Sequence, residues 1–165
     1  MLTEREKNGL IPLVRRTTKM RTHLDNAKSW FLEKLDYSDE IGVVVVEVIR
    51  GDSPEEFRVG EQVVRDAYPL EPRAGSRKFI VKFFRPVAWQ VVDESYTSRE
   101  GAEVRDDDCF LQVLSNSPYL DYVSKHHGWY VETVGPAKHY RLWTENNVID
   151  VIAHDEPHVE PIKGV

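Results

Sequence analysis

The apolar residues near the start of the chain follow the spacing of an α-helix. Between residues 13 and 35 they recur every three or four positions, which places them on one face of a helix. They are Leu13, Thr17, Met20, Leu24, Ala27, Phe31 and Leu35. Because Pro12 suits the first turn, the pattern predicts a long N-terminal helix that ends near Asp36. Its apolar stripe would pack either on the sheet of the same chain or on a second copy of the helix.

A buried strand and then a second helix are predicted in the segment that follows. Residues 41–49 are rich in β-branched side chains, which is typical of a buried strand. Ser53 and Pro54 precede two glutamates, a composition typical of a helix start. The residues expected on one face of this helix are Phe57, Gly60, Val64, Ala67 and Tyr68. Pro69 would end the helix.

Two apolar segments, residues 78–84 and 87–96, predict a β-hairpin that turns near residue 85. With an even loop, two bases face two acids across the strands, and such pairs stabilise a hairpin. The pairs are Lys78 with Asp93 and Arg77 with Glu94. Asp93 and Glu94 also stand at the end of an aromatic-rich strand, where carboxylates can act as general acid and base. They are therefore weak candidates for catalytic residues as well as members of ion pairs.

A second hairpin is predicted between residues 139 and 154, because asparagines at 146 and 147 suit a tight turn. The predicted core face carries Tyr140, Leu142, Ile149, Val151 and Ala153. The predicted outward face carries His139, Arg141, Trp143, Asp150, Ile152 and His154. In the register that we expect, His139 lies directly opposite His154.

The outward face of this hairpin offers two kinds of chemistry. His139, His154 and Glu156 are possible ligands of a metal ion. The alternative is a solvated face on which Arg141 and Asp150 form an ion pair. The metal site is the weaker of the two interpretations, and no cofactor is predicted.

Taken together, these patterns predict an α+β fold built on a largely antiparallel sheet of about six strands. Two or three helices would accompany the sheet, one of them opening at Ser117 and ending near Gly128. Residues 1–36 would form an N-terminal helical arm, and residues 37–165 a single α+β domain. The length of 165 residues fits one such domain.

The net charge of −6 hides an asymmetry along the chain. Residues 1–28 carry seven bases and three acids, whereas the remaining 137 residues carry 15 bases and 25 acids. A basic arm on an acidic body can bind that body, a second copy or an anionic partner. The acidic body argues against nucleic acid and favours a basic protein as the partner.

Several classes of protein are excluded or disfavoured by what the sequence lacks. One cysteine cannot form an intrachain disulfide or a CxxC zinc motif. The chain has no phosphate-loop, dinucleotide, HExxH or GxSxG motif. No apolar run resembles a signal peptide or a membrane span, so a cytoplasmic location without membrane contact is expected.

Exposed aromatic residues and a run of aspartates are the strongest features for a protein interface. Aromatic side chains anchor interfaces, and like charges steer a partner of opposite charge. The predicted binding residues are Asp106, Asp107, Asp108, Trp129, Arg141 and Trp143.

Four segments resemble a family of small bacterial α+β proteins to which no activity is assigned. They are AYPLEP at 67–72, AWQVVDESY at 88–96, SPYLDYV at 117–123 and the stretch from 139 to 157. In size and acidic charge the chain is also similar to immunity proteins of toxin systems. The acidic body and the exposed aromatic residues favour a non-enzymatic protein-binding or regulatory domain, similar to an immunity protein, with a basic protein as its partner. The alternatives are a small enzyme or metal-binding protein with its site on the last hairpin, and a homodimer formed through the long helix.

Overall fold

The computed structural model describes residues 20–98 and 109–163, and it is mostly β. Strands make up 49% of the structure and helices 16%, with one helix of seven residues or more. The strands in chain order are β1 (Trp30–Tyr37), β2 (Glu40–Glu47), β3 (Ile49–Arg50), β4 (Glu55–Val59), β5 (Gln62–Ala67), β6 (Leu70–Glu71), β7 (Lys78–Phe84), β8 (Ala88–Asp93), β9 (Leu111–Leu114), β10 (Lys138–Trp143), β11 (Asn147–Ala153) and β12 (His158–Pro161). The helices are α1 (Pro118–His127) and α2 (Trp129–Thr133), with 3₁₀ turns at His23–Asn26 and Glu94–Tyr96. The predicted α+β class is therefore wrong.

Two antiparallel four-stranded sheets share the main hydrophobic core. The first has the strand order β1-β2-β7-β12 and the second the order β8-β11-β10-β9. Buried side chains of both sheets belong to one cluster, among them Val43, Val81, Leu142 and Val151. Two small sheets, β3 with β6 and β4 with β5, complete the described strands. The single sheet of about six strands that we predicted is thus replaced by two facing sheets.

The long N-terminal helix is also wrong over the part of it that the structure describes. After a 3₁₀ turn capped by Thr22, the chain enters β1, which pairs with β2. A β-bulge between Leu32 and Lys34 shifts the alternation of β1 by one residue. Leu32 and Leu35 therefore both pack against the core, whereas Phe31 and Leu35, which the helical pattern places on one face, lie on opposite faces of β1. Residues 1–19 lie outside the described part of the chain.

This correction bears on the predicted arm. The boundary that we placed after residue 36 lies inside β1. The predicted homodimer needs a helix that extends to residue 36. Residues 28–36 form no helix, because the chain enters β1 at Trp30.

The hairpin predicted from residues 78–96 does not form, because its two strands belong to different sheets. β7 lies between β2 and β12, whereas β8 pairs with β11. One face of each segment packs in the core between the two sheets, and on its other face β8 contributes Ala88 to a cluster with residues of α1 and α2. The predicted ion pairs are replaced as well. Lys78 binds Glu33, Arg77 binds Glu47, and Asp93 lies opposite Asn147.

The last hairpin is confirmed, with its register two residues away from the predicted one. Arg141 lies opposite Asp150, and His139 lies opposite Ile152. The predicted core face is correct, since its five residues all belong to the main cluster. The turn is held by β1, because Asn146 Oδ1 accepts from Leu32 N at 2.8 Å and Asn146 Nδ2 donates to Leu32 O at 3.0 Å. This contact ties the turn of the last hairpin to the first sheet.

The segment predicted as a second helix forms an exposed hairpin, β4–β5. Its strands join at Gly60, whose φ of +61° suits a turn that glycine adopts without strain. The helix-start signal at Ser53 and Pro54 is local, and it is overridden by the pairing of β4 with β5.

The helices α1 and α2 cover the second sheet on the side away from the main core. As predicted, Ser117 caps α1, and its hydroxyl accepts from Leu120 N. A smaller cluster joins the helices to β11 through Val123, Tyr130 and Ile152. Within the described residues, neither helix has the length and apolar character that crossing a membrane requires.

Gly128 allows α1 and α2 to meet at a tight junction. A Cβ atom at this position would lie 1.9 Å from the Ser124 carbonyl oxygen. We expect Gly128→Ala to lower the free energy of unfolding by about 2 kcal/mol, because the backbone must shift to relieve the clash. Urea denaturation tests this, with Glu132→Ala in exposed α2 as the control that changes stability little. Parental stability of Gly128→Ala would contradict the junction geometry.

Candidate functional site

A row of polar side chains crosses the second sheet on its helix-covered side. Gln90, Asp150, Arg141 and Gln112 lie opposite one another on β8, β11, β10 and β9. Asp150 is 2% exposed and Arg141 is 5% exposed. The sequence prediction of an Arg141–Asp150 pair is confirmed, but the pair is buried under the helices instead of lying on a solvated face.

Asp150 is the centre of this buried network. Its Oδ1 accepts from Arg141 Nε at 2.6 Å and contacts His139 Nε2 at 2.8 Å. Its Oδ2 accepts from Gln90 Nε2 at 2.9 Å. Burial raises the pKa of Asp150, but the hydrogen bonds and positive charges of His139 and Arg141 outweigh burial and lower the pKa from 3.8 to about 2. Asp150 is therefore a buried carboxylate held in its ionised form.

The network continues from His139 to Ser117, so a carboxylate, an imidazole and a hydroxyl lie in a row as in a serine hydrolase triad, but each contacts the opposite ring nitrogen. Ser117 Oγ lies 2.5 Å from His139 Nδ1. The same hydroxyl caps α1 by accepting from Leu120 N at 3.1 Å, and Ser117 is 1% exposed. The ring of Tyr119 packs edge-on against His139. Since a nucleophile must reach its substrate, this geometry favours a network that fastens α1 to the sheet.

The structure does not bring the three predicted metal ligands together. Both ring nitrogens of His139 are engaged inside the buried network. His154 packs edge-on against Tyr130, and Glu156 lies 3.4 Å from Lys138 Nζ. Across residues 20–98 and 109–163, no three His, Cys, Asp or Glu side chains are grouped to hold a metal ion.

The two candidate catalytic acids have structural contacts. Asp93 Oδ1 accepts from Ser95 N at 2.9 Å and so caps the 3₁₀ turn at Glu94–Tyr96. Glu94 Oε1 accepts from Trp143 Nε1 at 3.4 Å. These contacts account for both acids without a substrate.

The predicted binding residues divide into three groups. Trp129 is 74% exposed at the start of α2. Trp143 is half-buried, and Arg141 is buried in the polar row. Asp106, Asp107 and Asp108 lie outside the described residues. Of the predicted binding residues that the structure describes, Trp129 is the one that is largely exposed.

An open cavity of about 590 Å³ lies beside Trp129. Its wall includes Tyr130 from α2, His127 from the end of α1 and His154 from the segment after β11. Arg85, in the connection between β7 and β8, completes one rim. The sequence predicts Trp129 as a binding residue, but it carries no signal that Arg85 lies beside it.

The hairpin β4–β5 presents an amphipathic surface that the sequence analysis missed. Phe57 lies opposite Val64, and Val59 lies two residues from Phe57 on the same face. These side chains are 37%, 43% and 67% exposed. The alternation of Phe57 and Val59, followed by Gly60, is the signal that would have indicated a hairpin.

Comparison of the chain with models of protein families, with curated proteins and with solved structures finds no match. The predicted resemblance to an immunity-like family stays a prediction. Function is therefore argued from the geometry described above.

Proposed function

We propose that this chain is a non-enzymatic protein-binding domain whose contact element is the hairpin β4–β5. The observation that carries the proposal is that the apolar face of an amphipathic hairpin points into solvent. Phe57, Val59 and Val64 form this face, and every residue of β4 is exposed. An amphipathic hairpin normally buries its apolar face, and exposed apolar surface of this kind marks interaction sites.

The backbone of the hairpin supports binding of an extended partner segment. β4 and β5 form a two-stranded sheet, so each strand has one edge that no strand of the described chain pairs. Such edges accept an added strand through main-chain hydrogen bonds. A two-stranded hairpin alone is marginally stable, and a third strand would stabilise it.

The charge of the hairpin favours a basic partner. Residues 55–67 carry four acids and two bases, and the whole chain carries a net charge of −6. The net negative charge of the hairpin repels a second copy of the hairpin. The same charge attracts lysine- or arginine-rich segments. A regulatory role by capture of a basic protein agrees with the predicted resemblance to immunity proteins.

A titration with two designed peptides tests this proposal. We expect a ten-residue peptide of alternating lysine and valine to bind, and an otherwise identical glutamate–valine peptide not to bind. Binding should slow amide hydrogen exchange in residues 55–67 and weaken as salt is added. The double variant Phe57→Ser/Val64→Ser should lose at least about tenfold in affinity, since it removes the central apolar contacts without changing charge.

Val91→Ser is the matched control, because Val91 on β8 is 41% exposed and lies outside the hairpin. It should leave the affinity for the lysine–valine peptide unchanged. Equal binding of both peptides, or protection elsewhere than at 55–67, would overturn the proposal. Sedimentation that shows a dimer of the parent, lost in the double variant, would assign the hairpin to self-association instead.

A further inference from the structure

We propose that the cavity beside α2 is a binding site for a small planar aromatic anion, such as an aromatic carboxylate. This site is separate from the hairpin of the proposed function, because its wall contains no residue of β4 or β5. A cavity of about 590 Å³ is within the size range of sites for small molecules.

The aromatic part of the ligand is recognised by the residues at the start of α2. Trp129 is 74% exposed, so one large ring is available for stacking. Tyr130 is 4% exposed and forms a fixed part of the wall, since its ring packs edge-on against His154 at 5.3 Å. An exposed indole beside a rigid aromatic wall favours a planar apolar group.

The anionic part is recognised by groups at the other side of the cavity. His127 and His154 present imidazole rings that can donate hydrogen bonds, and Arg85 presents a guanidinium group. The one acid of the wall, Asp155, lies 3.5 Å from Arg85 with both side chains more than half exposed. A contact of this length between exposed groups is weak. The carboxylate of a ligand can therefore replace Asp155 at the guanidinium of Arg85.

The backbone of Arg85 is a second, independent observation. Its φ is +44°, which lies in the left-handed region. Among the described residues, two other non-glycine residues have a positive φ, Asp66 and Asn116. Aspartate and asparagine adopt this region comparatively readily, whereas a long side chain such as arginine is strained there. An arginine in a position that suits glycine indicates that its side chain has a function.

An NMR titration with 2-naphthoate tests the site, with the backbone N–H of His154, which lines the cavity and is kept in every variant, as the reporter. We expect binding in the order 2-naphthoate, then neutral 2-naphthol, then the cation 2-naphthylmethylammonium. Trp129→Ala should weaken both naphthoate and naphthol, because it removes the stacking surface. Tighter binding of the cation would show that Asp155 sets the charge preference of the cavity, and it would overturn the proposal.

Arg85→Gly separates function from folding. It relieves the strained backbone, so the thermal midpoint should stay equal or rise, while 2-naphthoate affinity should fall at least about tenfold and naphthol affinity should not change. Asp66→Gly is the matched control, because it relieves the same conformation (φ 59°) away from the cavity. Parental naphthoate affinity in Arg85→Gly would overturn the role of the guanidinium.

Discussion

Replacing Asp150 by asparagine is expected to lower the free energy of unfolding by about 3 kcal/mol at pH 7. The carboxylate lies between Arg141 and His139 in a region that is nearly closed to water. Asparagine keeps the size of the side chain but removes the negative charge that balances the buried guanidinium. Asp155→Asn is the control, since Asp155 is exposed and should change stability by less than about 0.5 kcal/mol.

The effect of Asp150→Asn should depend on pH in a direction that follows from the lowered pKa. The pKa of Asp150 falls from 3.8 to about 2 in the folded chain. Its ionised form therefore stabilises the fold fully above about pH 4, and this contribution of roughly 2 kcal/mol is lost as pH falls toward 2.

Urea denaturation at pH 7, 5 and 3 measures this dependence. The difference between parent and Asp150→Asn should be constant from pH 7 to 5 and smaller at pH 3. A difference that stays the same at pH 3 would show that the charge of Asp150 does not stabilise the fold.

Replacing Trp30 by alanine is expected to cost about 4 kcal/mol, because Trp30 is fully buried at the start of β1. Its ring packs edge-on against Phe79 at 5.5 Å, and its Nε1 donates to the Leu24 carbonyl at 2.9 Å. Removal leaves a large cavity and takes away the donor to that carbonyl.

Trp129→Ala is the matched control, because the same atoms are removed from a side chain that is 74% exposed. We expect it to change stability by less than about 0.5 kcal/mol. Equal losses of stability for the two variants would contradict the placement of β1 in the core.

Features set by local chemistry could be predicted from the sequence. Ser117 and Pro118 mark the start of α1 because a cap needs only its own turn of backbone. The alternation from Tyr140 to Ala153 identifies the core face of the last hairpin, because side chains on a strand alternate between its two faces. The existence of an Arg141–Asp150 pair also followed from these two strands.

Features set by contacts between distant segments could not be predicted. The four-residue spacing of Phe31 and Leu35 suits one face of a helix or of a regular strand, and the bulge that separates them is visible only against the partner strand. Residues 78–96 matched a hairpin because apolar strands suit any buried neighbour, so nothing in the segment assigns β7 and β8 to opposite sheets.

The same division holds for the candidate sites. By itself the sequence determined an acidic body, an aromatic residue at 129 and two strands that share one apolar core face. The tertiary structure alone decided that His139 and Asp150 are buried, that Phe57 and Val64 are exposed, and that Arg85 lies beside Trp129. The physical reason is that burial and strand pairing depend on which segments cover one another, and that choice is made between residues far apart in the chain.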